Sequence, residues 1–145
     1  MKSIFSVPGI CSLILASSVL TGNVMAATPA PEGAAVYIIS PQDGDEVSSP
    51  LTVTFGLTGM GVAPAGVERP NTGHHHLLID LATPPAMDTA IVADDQHRHY
   101  GGGQTEAVIE LTPGQHTLQL LLGDQNHVPH QAPVLSKKIT VQVKE

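Results

Sequence analysis

The chain has 145 residues, room for one domain at about 100–200 residues per domain, which excludes a multidomain architecture. Hydrophobic residues make up 41% and charged residues 13%, so the chain can bury a core and is not a charge-rich disordered tail. A net charge of −7 with only six Lys and Arg excludes the basic footprint that neutralises phosphates, so no nucleic acid is expected as a partner.

Residues 1–26 read as a secretory signal peptide. Lys2 gives the basic start, an apolar stretch runs over residues 10–20, and Val24-Met25-Ala26 supplies a small-residue cleavage site. The stretch is too short for a retained membrane helix, which needs roughly 20 continuous apolar residues, and Ser12, Ser17 and Ser18 break it. A periplasmic or secreted location follows as the expectation, with no membrane association once the leader is removed. Cys11, the only cysteine, leaves with the leader. The mature chain is then expected to have no disulfide, no cysteine nucleophile and no thiolate metal ligand, so any metal must be held by imidazole, carboxylate or thioether.

Residues 27–35 read as a Pro/Ala/Gly linker, and residues 36–145 as a single domain. Within it, short runs of alternating apolar and polar residues are separated by Gly, Pro, Asp and Asn. The runs are VYIIS (36–40), LTVTFGLT (51–58), HHHLLIDL (74–81), a weaker TAIVA (89–93), TEAVIEL (105–111), GQHTLQLLLG (114–123) and SKKITVQV (136–143). About seven short strands without a convincing helix predict an all-β fold, an immunoglobulin-like antiparallel β-sandwich, with a small β-barrel as its competitor.

Histidine is the conspicuous residue: all eight lie between His74 and His130. Residues i and i+2 of a strand project on one side, about 6.5 Å apart, so two imidazoles can converge on one ion. His74/His76 and His97/His99 are such pairs, and His127/His130 adds an H-x-x-H in a Pro-containing loop. In a sandwich, the connections holding these three segments gather at one end, which predicts a metal site built from His74, His76, His97, His99, His127 and His130. His75 and Asp124 are possible additional ligands. The parity of His75 also places it with Leu77 and Ile79 on the buried side, where it would cap the core. His116 shares the inward face of Leu118, Leu120 and Leu122 at the opposite end, and is expected to be a structural corner residue.

Other chemistries find little support. Gly101-Gly102-Gly103 lacks the G-x-x-x-x-G-K-[ST] pattern of a phosphate loop, and is expected to form a bulge or a close approach beside H-R-H. No H-E-x-x-H helix and no G-x-S-x-G elbow is present.

The segments GHHHLLID, HYGGGQTE and PGQHTLQLLLGDQNHVPH resemble the exported bacterial family called domain of unknown function 4399, over essentially the whole mature domain. Tyr100 stands where the family is expected to carry phenylalanine. The resemblance implies a single exported domain and brings no established activity. The expected function is a transition-metal carrier, buffer or sensor, copper first and zinc second, with the metal ion and another periplasmic protein as partners. Met60 and Met87 are candidate thioether ligands for Cu(I). The alternatives are a metal-dependent hydrolase with Asp124 or Glu106 as base, and a metal-free module that recognises protein or glycan.

Overall fold

A computed structural model describes residues 28–145. The expected leader, with Cys11 inside it, lies outside these residues. Among the described residues the regular elements are all strands: β1 (Ala35–Ser40), β2 (Glu46–Val47), β3 (Leu51–Thr58), β4 (Gly61–Val62), β5 (Thr72–Ile79), β6 (His97–Tyr100), β7 (Glu106–Ile109), β8 (Gly114–Gly123) and β9 (Ile139–Val143).

They form a β-sandwich. The smaller sheet has the order β1-β3-β7, and the larger has the order β2-β9-β8-β5-β4, with β6 also paired to β5. The first, second and fifth long runs therefore share one sheet and the third, sixth and seventh the other, the immunoglobulin partition. Two short pairs, β2 with β9 and β4 with β5, are parallel; the rest are antiparallel.

Alternation explains where the core sits. Val53 and Phe55 of β3, Leu77 and Ile79 of β5, and Leu118, Leu120 and Leu122 of β8 all face the space between the sheets. Fully burying each such side chain contributes roughly 1.5–3 kcal/mol. The larger sheet also has a covered outer face, where Leu78 and Leu121 pack with Ile91, Leu81, Met87 and Leu135. Strands β5 and β8 are consequently buried on both faces over most of their length.

Three expectations are corrected. Residues 89–93 are not a strand: Ile91 drops onto the outer apolar cluster while its N–H bonds the His127 carbonyl at 2.9 Å. The strand in this region is β6, so His97 and His99 lie on a paired edge strand and not in a connection. The third run ends at Ile79, because Asp80 takes a left-handed conformation (φ 55°) and turns the chain. The start of the described chain is also tied down. Pro29 forms a parallel bridge with Gln131, and Ala30 N–H donates to the Gln131 carbonyl at 2.8 Å.

His116 is the corner residue that the sequence predicts. Its Nδ1 lies 2.7 Å from Asp80 Oδ2, its Nε2 lies 2.8 Å from the Thr112 carbonyl, and Asp80 Oδ1 accepts the Thr117 N–H at 2.7 Å. Burial alone would lower the His116 pKa; the Asp80 carboxylate and the Thr112 carbonyl outweigh it and hold the pKa above its ordinary value. Both acceptors want an N–H, so the bonded form is the imidazolium. His116→Ala is expected to destabilise the fold by about 1–3 kcal/mol. A raised folded-state pKa gives stability that is present below the unfolded value of about 6.5 and fades as pH rises through the folded value. Denaturant titrations should therefore show a larger deficit for the variant at pH 6 than at pH 8.

Candidate metal centre

β5 carries Thr-Gly-His-His-His, and the period of two sends His74 and His76 to the outer face while His75 turns inward. His76 faces His99 of β6 directly across the strand pair. His127 arrives from the loop after β8, where its left-handed backbone (φ 66°) turns the ring back over the sheet. The four rings sit together. Centroids are 4.8 Å apart for His74–His76, 5.1 Å for His76–His99, 4.6 Å for His99–His127 and 5.0 Å for His74–His127. One ring nitrogen from each of His74, His76, His99 and His127 lies within 4.8 Å of the other three. Donors bound at about 2.0–2.1 Å lie no more than about 4.2 Å apart, so the set must close by roughly half an ångström to hold one ion.

His74 and His76 form a buried floor, both with no solvent exposure, while His127 is half-buried and His99 exposed. His74 Nε2 lies 3.1 Å from His127 Nδ1. Among the described residues, His74 Nδ1 and both ring nitrogens of His76 are buried without a hydrogen-bond partner. A buried polar atom left unpaired costs about 1–3 kcal/mol, so three in one group call for a functional reason.

Glycines make room for these rings. A Cβ on Gly123 would come 2.7 Å from His76 Cε1, and a Cβ on Gly101 would strike the His99 ring. Gly101 is therefore bare because His99 lies against it, in keeping with the close approach expected of the glycine run.

The structure brings together four of the six histidines expected to bind metal: His74, His76, His99 and His127. His97 and His130 lie elsewhere. His97 is on the same side of β6 as His99 but one strand period further, beside Leu78, and its Nδ1 bonds Asp94 Oδ1 at 2.8 Å. His130 is buried; its Nε2 lies 3.1 Å from the Thr72 carbonyl, and its ring lies against Gly73. Of the two additional candidates, His75 points into the core, its ring 5.1 Å from Phe55 and its Nδ1 3.1 Å from the Gln104 carbonyl. Asp124 directs both carboxylate oxygens to Thr28, Asn126 and Val128. Met60 packs on the main core and Met87 on the outer apolar cluster. Glu106 is in β7 of the smaller sheet, opposite Thr54, so neither carboxylate proposed as a hydrolytic base belongs to the group. The centre also differs in place from the expected loop end: it lies on the outer face of the larger sheet, where β5 begins and β8 ends.

The family model described as Domain of unknown function (DUF4399) matches residues 53–144. The chain belongs to this family. Comparison with curated proteins and with solved structures gave no match. The DUF4399 match contains all eight histidines, and with them the whole of the four-histidine group.

In this DUF4399 domain the surroundings disfavour protonation of His74, His76 and His99. Burial first, and then the neighbouring imidazoles of His127 and His99, lower the pKa of His74 to about 4, against a smaller opposing effect of Asp124. Burial and the imidazoles of His74, His99 and His127 lower that of His76 to about 3. His99 is shifted down too, by burial and by His127.

Two outcomes follow. A histidine whose pKa is lower in the folded chain than in the unfolded one takes up protons preferentially on unfolding, so stability rises with pH. Metal-free protein is expected to lose stability as pH falls from about 6.5 towards about 4, on the order of 2 kcal/mol for each of His74 and His76 by pH 5. Denaturant unfolding at pH 7, 6 and 5 measures it, and His76→Leu should give a shallower slope. Gly123→Ala, which forces the His76 ring aside, should lower stability by about 1–3 kcal/mol in thermal unfolding.

Proposed function

We propose that this domain binds one transition-metal ion through His74, His76, His99 and His127, copper in first place and zinc in second, as a carrier, buffer or sensor in the periplasm. The observation that carries the proposal is the convergence of four imidazoles whose donor atoms all lie within 4.8 Å, from three segments distant in sequence. Neutral imidazole is a borderline donor that suits Cu(II), Zn(II) and Ni(II) better than Mg(II) or Ca(II), and the affinity order puts Cu(II) above Zn(II). The lowered pKa values of His74, His76 and His99 support the reading, because protons do not compete for these lone pairs at neutral pH.

An exchanging role suits the uneven exposure. His74 and His76 form a fixed floor, and His99 stands in solvent on an edge strand, so an ion can be captured or released from the His99 side without opening the core. Transfer to or from another exported protein would then start by replacing His99.

Calorimetric titration of chelator-treated protein with Cu(II) and with Zn(II) should show about one ion per chain and a Kd below about 10 μM for at least one of them. Alanine at His74, His76, His99 or His127 should weaken binding at least tenfold, whereas alanine at His97 or His130 should leave it nearly unchanged. Uptake of neither ion would overturn the proposal.

A further inference from the structure

Asp124 is a carboxylate at 1% exposure, and its bonds show what it holds. Oδ1 accepts the N–H groups of Asn126 at 2.8 Å and Val128 at 3.0 Å. The backbone closes the same loop: Asp124 N–H donates to the Val128 carbonyl, and the Asp124 carbonyl accepts the His127 N–H, both at 2.9 Å. His127 thus sits inside a ring of bonds that begins and ends at Asp124. It is held there in a left-handed conformation (φ 66°), which a residue with a Cβ adopts only when its surroundings impose it.

The other oxygen leaves the loop altogether. Oδ2 accepts the hydroxyl of Thr28 at 2.8 Å, across 96 residues of sequence. Thr28 is itself anchored, because its carbonyl accepts the Gln131 N–H at 2.9 Å and the next residue, Pro29, bridges to Gln131. The segment over residues 28–30 is therefore a strap laid across the base of the loop that carries His127.

We propose that Thr28 and Asp124 are a positioning pair for His127: the strap fixes the rotation of the Asp124 carboxylate, and the carboxylate fixes the loop that aims the imidazole at His74. The inference rests on the metal-site reading above. Asp124 acts through His127 and not as a ligand, since both of its oxygens are engaged. The physical basis is preorganisation. A ligand held before the ion arrives does not have to be ordered during binding, and outer groups that orient metal-binding histidines commonly govern affinity by about 10–100-fold. Charge-assisted bonds to a carboxylate are stronger than neutral ones, which suits a single buried group to holding both the loop and the strap.

The test uses Thr28→Val, which removes the hydroxyl and keeps the shape, Thr28→Ser, which restores it, and Asp124→Ala. Metal-free protein is examined by amide hydrogen exchange, and Zn(II) alone serves as the metal probe. Thr28→Val should speed exchange at Asn126, His127 and Val128, leave the β5 and β8 amides at wild-type rates, and raise the Zn(II) Kd about tenfold; Thr28→Ser should reverse both effects. In the Asp124→Ala background, Thr28→Val should change neither further. If Asp124→Ala fails to fold, the Thr28 series decides alone. Wild-type exchange and wild-type Kd in Thr28→Val would overturn the proposal, as would a lower melting temperature with unchanged Kd, the mark of a merely structural bond. If wild-type protein takes up no Zn(II) or Cu(II), the metal reading fails separately, and the exchange rates still decide whether the strap orders the His127 loop.

Discussion

Because β5 is covered on both sides, each of its side chains from His74 to Ile79 has to suit one of two buried environments, and the two-residue period of a strand decides which. Leu77 and Ile79 go to the space between the sheets, and Leu78 to the outer cluster. The same parity divides three consecutive histidines. His75 goes to the core, where Phe55 packs on it and the Gln104 carbonyl meets one nitrogen. His74 and His76 go outward into a region sealed by other imidazoles. A one-residue slip of this strand against β8 would exchange the sets, placing a lone histidine outside and two in the core. The burial of Leu77 and Ile79 on one face and Leu78 on the other fixes the register against β8, with His74 opposite Gly123 and Ile79 opposite Leu118.

The four histidines differ in how they are held, and the differences follow from their elements. His74 and His76 share the rigidity of a central strand. His99 belongs to a four-residue edge strand that, among the described residues, pairs only with β5. His127 has no ladder, so side-chain and backbone bonds to Asp124 replace one. Bare backbone at Gly101 and Gly123 completes the arrangement, since the rings occupy the volume that a Cβ would take. The sequence conceals this last requirement, because glycines in turn-rich segments have many explanations.

Much of the fold was legible because alternation is a local signal. β3 and β8 coincide with the runs at residues 51–58 and 114–123. β6 was missed for the converse reason: His-Arg-His-Tyr is polar at three of four positions, as an edge strand beside a metal-type cluster allows, and it shows no hydrophobic period. The run at residues 89–93 misled because Ile91 is buried, but as a single anchor from a loop and not as part of a ladder. His74 and His76 could be paired from strand spacing, which also paired His99 with His97, although His97 lies one period away beside Leu78 and stays outside the group. Choosing His127 over His130 could not, since a loop has no period and a left-handed backbone at His127 turns the ring. The partner of Asp124 was equally out of reach, being a threonine 96 residues away.

His116 and the outer histidines make opposite use of one side chain. At the corner, a carboxylate and a carbonyl accept from the ring, and the imidazolium is favoured. On the outer face, burial and neighbouring rings disfavour charge, and the ring nitrogens keep their lone pairs. Among the described residues, the geometry lets one hydrogen bond form within the group, between His74 Nε2 and His127 Nδ1, and leaves His74 Nδ1 and both nitrogens of His76 without partners. A cation resolves that frustration in a way that no rearrangement of protons can, because it accepts electron density from several rings at once. The negative charge of the chain acts in the same direction, favouring the approach of a cation without placing a carboxylate among the donors.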